Sequence, residues 1–246
     1  MPLERLSLDG PRPWIMAHRG ASDLAPENSL AAFDLAVQHG ADLLETDIWL
    51  TADGEIVCHH DATLERMTGD PRRVGGMSLA QLEALQLKTA HGIAGERIPT
   101  LAALVEQTPP EVVIVAELKD PLFAHAGPLA GLLRVLGPRV ATQRAGVIAE
   151  DLGLLRAVKR QAPELVAGHI AITRPYANTE TELLGPYWPW LALDPRYVSR
   201  AHRRGQRVCP LDPDLHRRLP RYLAMDVDAV LTNDPRATRA LIETLR

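Results

Sequence analysis

Cysteine, aromatic residues and lysine are all scarce in this chain. Its two cysteines, Cys58 and Cys209, stand far apart in 246 residues. That count excludes a disulfide scaffold and, without metal-type spacing, a cysteine-ligated zinc site; it fits a reducing compartment. Only three of the 27 basic residues are lysine (Lys88, Lys119, Lys159), so a lysine in a pocket would stand out. No apolar run approaches the ~20 residues of a membrane helix. The longest, such as Val112-Val113-Ile114-Val115-Ala116, are strand-sized, and no integral membrane segment is expected. Met1-Pro2-Leu3-Glu4-Arg5 lacks the basic and then apolar layout of a signal peptide, so the expected location is cytoplasmic. A net charge of -4 supplies no electrostatic footprint for nucleic acid.

What is present is an alternation of short β-branched runs with helical patterns, without a linker or low-complexity segment. Candidate strands are Trp14–Ala17, Leu43–Trp49, Val112–Leu118, Gly146–Ala149, Leu165–Ala171, Trp190–Leu193, Arg207–Cys209 and Ala229–Thr232. A helix over Glu27–His39 is expected from Pro26 at its start and Gly40 at its stop. Asp151–Gln161 and Tyr197–Arg204 follow the same logic. Eight strands with interleaved helices in 246 residues fit a (β/α)8 TIM barrel as one domain over 1–246; an open doubly wound sheet uses the same units.

Two irregularities interrupt the rhythm. Asp53-Gly54, between apolar runs, signals a β-hairpin that folds Glu55–His59 back on the second strand. With these two as the central turn residues, Ala52 would face Glu55, and Asp47 would lie directly across from His60, with His59 on the other face. The segment 62–98 then exceeds an ordinary βα loop and reads as a small insertion after the second strand, with one helical pattern at Leu79–Leu87.

Barrel active sites sit at the C-terminal ends of the strands. There the first strand ends in His18-Arg19-Gly20, the second carries Glu45 and Asp47, and the third carries Glu117 and Lys119. Both pairs are two residues apart and so share a face. Three converging carboxylates repel each other without a cation, and all-oxygen ligation favours magnesium or calcium over zinc. The plainer reading has Lys119 simply neutralising Glu117. His59-His60-Asp61 lacks a His-x-His partner for zinc, and Gly75-Gly76 is too slight for a phosphate loop. His39, His91, His125, His169, His202 and His216 show no partner pattern and are taken as surface or satisfied core residues.

Taken in order, Ala17-His18-Arg19-Gly20, Pro26-Glu27-Asn28-Ser29, Gly40 to Asp47, Thr51-Ala52-Asp53-Gly54 and His59-His60-Asp61 resemble the glycerophosphodiester phosphodiesterase family. Glu117-Leu118-Lys119 is similar to its later acidic-x-lysine element, and Asp226 to Pro235 to its C-terminal signature. The resemblance implies a barrel with an insertion after the second strand, one divalent cation (Mg2+ or Ca2+), and hydrolysis of a small-molecule glycerophosphodiester to glycerol 3-phosphate and an alcohol. It implies His18 and His60 as acid–base residues, Arg19 and Lys119 on the substrate phosphate, and Glu45, Asp47 and Glu117 on the metal. The nucleophile would be water or the neighbouring glycerol hydroxyl.

Two places depart from the family pattern. Ala149-Glu150 stands where a Ser-Phe pair is usual, and Cys209 to Asp214 where Trp-Thr-x-Asn is usual. Four of the ten aromatics crowd together as Tyr176, Tyr187, Trp188 and Trp190, either a packed loop and strand or a replacement wall over the pocket. The other functions weighed are a lysophospholipase D or sphingomyelinase-D-like lipid phosphodiesterase and a non-catalytic phosphate-ligand-binding barrel. A homo-oligomer is compatible with the sequence.

Overall fold

The computed structural model describes residues 6–8, 10–173 and 180–246. The strands are β1 (Trp14–His18), β2 (Leu43–Leu50), β3 (Ile56–Cys58), β4 (Val113–Leu118), β5 (Ala145–Ala149), β6 (Val166–Ala171), β7 (Leu183–Pro186), β8 (Arg207–Val208) and β9 (Ala229–Thr232). All except β3 pair in parallel, in the order β8-β7-β6-β5-β4-β2-β1-β9, and β3 lies antiparallel on β2. This is a nearly closed (β/α)8 TIM barrel. Asp228 bridges the β8–β9 seam: its N–H donates to Val208 O at 2.9 Å, and its carboxylate accepts from Val208 N at 2.8 Å.

The period-two alternation of the strands decides what faces the barrel axis. Trp14, Met16, Leu43, Val113, Val115, Val166 and Ala229 form the interior, joined by Leu6. Ile114 and Ala116, on the alternate positions of β4, pack with Phe33, Leu44, Ile48, Leu104, Leu132 and Leu155 in the layer beneath the helices. Carried upward, the same alternation turns His18, Glu45, Asp47 and Glu117 inward above an apolar floor.

One expected strand is misplaced. Trp190–Leu193 belongs to a helix, Trp188–Leu193, opened by Pro189 in its first turn. The sixth parallel strand is the four-residue β7, whose Gly185 and Pro186 hide it from pattern reading; β6 and β8 hold it from both sides.

The hairpin closes one residue differently from expectation. The observed pairs are Ile48–Cys58, Trp49–Val57 and Leu50–Ile56, so Thr51 rather than Ala52 faces Glu55 across a three-residue loop. Gly54 takes the left-handed conformation, φ +84°, that such a loop requires at its last position. Thr51 Oγ1 also accepts from Glu55 N at 2.9 Å, fixing the register.

Between this hairpin and Thr100, the inserted segment forms short helices at Glu65–Thr68 and Leu79–Glu83 over its own apolar cluster of Leu64, Val74, Met77, Leu82 and Leu87. Among the described residues, no helix is long and apolar enough to cross a membrane.

Candidate active site

A cavity of about 580 Å3 opens at the C-terminal ends of the strands, and His18, Arg19, Glu45, His60, Glu117 and Lys119 line it. The strand register explains the grouping. His18 on β1 pairs with Glu45 on β2, and Asp47 on β2 pairs with Glu117 on β4.

Arg19 and Gly20 then turn the chain out of β1, both with positive φ (58° and 81°). Left-handed backbone is costly for a residue that carries a Cβ, and Arg19 is held there by its N–H, which donates to Glu45 O and to Glu45 Oε2, each at 3.0 Å. Its guanidinium lies 3.1 Å (Nε) from Asp47 and 3.0 Å (Nη1) from Glu27.

The following helix starts later than its flanking residues suggest. It spans Leu30–Gln38, capped by Ser29. Asn28 stays outside it with φ 56° and is recruited by the site: Nδ2 donates to Asp47 Oδ2 at 3.0 Å, and Oδ1 accepts from Thr46 Oγ1 at 2.8 Å.

Glu45, Asp47 and Glu117 each offer an oxygen within 4.8 Å of the others. Glu45 and Asp47 are buried, and Asp47 Oδ1 accepts no hydrogen bond, the nearest cation being Lys119 Nζ at 3.2 Å. Lys119 Nζ also donates to Glu117 Oε1 at 2.6 Å, so the neutralising role weighed for it is present, extended to two carboxylates. Burial and then the charges of Asp47 and Glu117 push the Glu45 carboxyl well above its usual range. Burial and Asp47 likewise raise Glu117 to about 7, against Lys119. At Asp47 burial works the same way, but Arg19, Lys119 and His60 outweigh it and hold the carboxyl low. Such a buried, mutually repelling oxygen set fits a hard divalent cation.

Each of the two histidines has one ring nitrogen engaged. His18 Nδ1 lies 2.8 Å from Asn233 Oδ1, and His60 Nδ1 lies 2.8 Å from Asp61 Oδ1. Both partners accept, so each Nδ1 carries the proton and each Nε2 is left for the cavity. Burial and then Arg19 lower the His18 pKa, against the bond that its ring donates to Asn233.

The shifted hairpin register makes His59, not His60, the residue opposite Asp47, with His59 N donating to Asp47 O at 2.9 Å. His60 nevertheless lines the cavity, because β3 ends at Cys58 and strict alternation ends with it. His59 is buried, its Nε2 donating to Thr63 O at 3.1 Å.

Of the histidines without an expected partner, His169 and His216 line the same cavity, and His202 bonds Asp228 at 2.7 Å. Tyr187 lines it too, whereas Trp188 is covered by Arg218 at 3.7 Å and Trp190 Nε1 donates to Ile172 O. Tyr176 lies outside the described residues.

The residues that support these groups escaped sequence reasoning as individuals. Glu27, Asn28, Asp61 and Asn233 carried a signal only as letters in the ordered motifs, and Arg66, which bonds Glu27 and Asp61, carried none.

Residues 18–237 match the model of the family described as the glycerophosphoryl diester phosphodiesterase family. A glycerophosphodiester phosphodiesterase from Caldanaerobacter subterraneus is 30% identical over 90% of this chain and 94% of its own length. The structure of an Oleispira antarctica phosphodiesterase in complex with the product sn-glycerol-3-phosphate is 26% identical, with a TM-score of 0.82 over 94% of this chain and 97% of that one. A glycerophosphodiester phosphodiesterase from Agrobacterium tumefaciens is 26% identical, with a TM-score of 0.77 over 93% of this chain and 100% of that one. With the match running from His18 at the end of the first strand to the helix after the last, the chain belongs to the glycerophosphoryl diester phosphodiesterase family.

Proposed function

We propose that this chain hydrolyses glycerophosphodiesters to glycerol 3-phosphate and an alcohol, with His18 and His60 exchanging protons across a phosphate held by Arg19 and Lys119. The observation that carries the reading is the convergence of His18, His60, Arg19, Lys119, Glu45 and Glu117 on one cavity, with an oxygen of the buried Asp47 within 4.8 Å of one from each of the two glutamates. A phosphodiester monoanion resists attack until its charge is offset. Arg19 offers guanidinium N–H groups in a planar fork, and Lys119 a point charge. Glu45, Asp47 and Glu117 would hold one Mg2+ or Ca2+, which when bound supplies Lewis-acid neutralisation of a phosphoryl oxygen. One neutral imidazole takes the proton of the nucleophile at Nε2, and the other, entering the step as the imidazolium, delivers its Nε2 proton to the departing alkoxide.

The test is release of glycerol 3-phosphate from glycerophosphocholine and glycerophosphoethanolamine, beside lysophosphatidylcholine and an aryl phosphodiester, with Mg2+, Ca2+ or chelator. Turnover of the glycerophosphodiesters with added ion is expected. Turnover of lysophosphatidylcholine alone would replace this reading with the lipid phosphodiesterase. No turnover of any diester would leave a phosphate-ligand-binding barrel.

A further inference from the structure

We infer that Arg66, on the inserted segment, is a positioning residue whose one guanidinium fixes both the Arg19 side chain and the His60 ring; this rests on the function proposed above. Arg66 Nη2 and Nη1 donate to the two oxygens of Glu27 at 2.6 and 2.9 Å, a bidentate pair. Glu27 Oε1 also accepts from Arg19 Nη1 at 3.0 Å. In the other direction, Arg66 Nε donates to Asp61 Oδ2 at 2.6 Å, and the second oxygen of Asp61 takes His60 Nδ1 at 2.8 Å. Arg19, Glu27, Arg66, Asp61 and His60 therefore form one unbroken chain of charge-assisted bonds.

The need for such a link follows from the backbone. His60 lies beyond the end of β3, on a bend, so no strand ladder sets its direction and Asp61 must. Asp61 in turn has only His60 and Arg66 as side-chain partners among the described residues. The carrier of Arg66 is itself pinned: Lys88 Nζ donates to Glu65 O at 3.0 Å and to Arg66 O at 2.7 Å. The Arg66 side chain is 46% exposed, and exposed ion pairs add little to stability. A purely structural role would thus leave small traces anywhere, whereas a positioning role would appear in catalysis.

Arg66→Ala and Arg66→Lys separate the two, with Arg72→Ala as control, because Arg72 bonds Asp70 at 2.6 Å in the same segment but leads to no site residue. Kinetics on glycerophosphocholine with saturating Mg2+ or Ca2+ and thermal unfolding would be measured for each. Misplacement of reacting groups by about 1 Å costs ~10²-fold, so Arg66→Ala should lower kcat/KM by about 10- to 100-fold, mainly through kcat, with Tm within a few degrees. Lysine offers one ammonium for two carboxylates, so Arg66→Lys should restore little of the loss. Arg72→Ala should match wild type. Combined with Asp61→Asn, the Arg66→Ala loss should be far less than multiplicative.

Kinetics within twofold of wild type for Arg66→Ala, or multiplying losses in the double variant, would overturn the inference. If Arg66→Ala does not fold, the charge-retaining Arg66→Lys decides by the same criteria. If wild type itself turns over no diester, the function reading fails, and the inference is judged by the His60 Nδ1–H proton resonance. Loss or shift of that signal in Arg66→Lys would uphold it, and an unchanged signal would overturn it.

Discussion

His18 Nδ1 lies 2.8 Å from Asn233 Oδ1, a single bond that joins the end of the first strand to the loop after the last, 215 positions later. The amide oxygen can only accept, so it selects the tautomer that leaves His18 Nε2 for the cavity. Asn233→Ala should free the ring and lower kcat by roughly 10- to 100-fold, while His18→Ala and His60→Ala should each cost ~10²–10⁴-fold. His59→Ala, whose ring bonds Thr63 O away from these groups, should cost far less in turnover per folded molecule. Steady-state kinetics on the four variants would check the ranking. Full kcat in Asn233→Ala would mean that the bond does not hold the ring.

The carboxylate set predicts a stability response to metal as well as an activity response. Chelation should abolish turnover, and Mg2+ or Ca2+ should restore it. An ion at 100 times its Kd should stabilise the fold by about 2.7 kcal/mol. Glu45→Gln imitates the protonated carboxyl that burial and the charges of Asp47 and Glu117 favour. It should leave the metal-free Tm unchanged or higher while abolishing its rise with added ion. A lower metal-free Tm for Glu45→Gln, or stoichiometric zinc in the purified protein, would contradict this account.

How much of this was legible in the sequence depended on whether the cause was local. Inward placement of Glu45, Asp47 and Glu117 follows from period-two alternation in β2 and β4, and both strands sit where their apolar runs predict. The strand β7 was hidden because Leu183-Leu184-Gly185-Pro186 has weak propensity and is held by its neighbours on both sides. Trp190–Leu193 read as a strand from composition, yet Pro189 opens a helix there. The hairpin register turned on the left-handed conformation of one residue, Gly54, which an Asp-Gly pair permits in either loop length. Arg66 gave no signal, since one partner, Glu27, stands 39 positions earlier and the other, Asp61, is five positions away across a bend and a helix start.

The same network predicts how stability varies with pH. Burial would raise Glu27 and Asp61, but hydrogen bonds and charge from Arg66, Arg19 and His60 outweigh it and hold both carboxyls below their usual range. A depressed folded pKa means that the unfolded chain binds more protons in the window between the two values. The contribution is therefore complete above the usual carboxylate pKa of about 4 and is lost as pH falls through the depressed values. Any gap in urea midpoint between wild type and Arg66→Ala should thus be widest near neutral pH and close as the medium is acidified below about pH 4. A gap that stays constant or widens into acid would show that these carboxylates do not carry it.

Two glycines with nearly equal φ should respond very differently to a methyl group. Gly54, at φ +84°, has nothing within 4 Å of where a Cβ would stand, so Gly54→Ala costs only the left-handed backbone, about 1–2 kcal/mol. Its register should survive, because Thr51 holds Glu55 through both backbone and hydroxyl. Turnover per folded molecule should then match wild type. Gly20, at φ +81°, would carry its Cβ 2.6 Å from the carbonyl carbon of Ala32, a backbone atom in the helix Leu30–Gln38 that cannot step aside alone. The backbone term and the overpacking term add there, roughly 2–5 kcal/mol together. Relief by shifting the turn would also displace Arg19, its immediate neighbour and the proposed phosphate contact. Gly20→Ala should therefore lose stability and kcat/KM together, even after correction for the folded fraction. Urea unfolding and kinetics on both variants decide the matter: a Gly20→Ala protein as active per folded molecule as Gly54→Ala would mean that the turn does not aim Arg19.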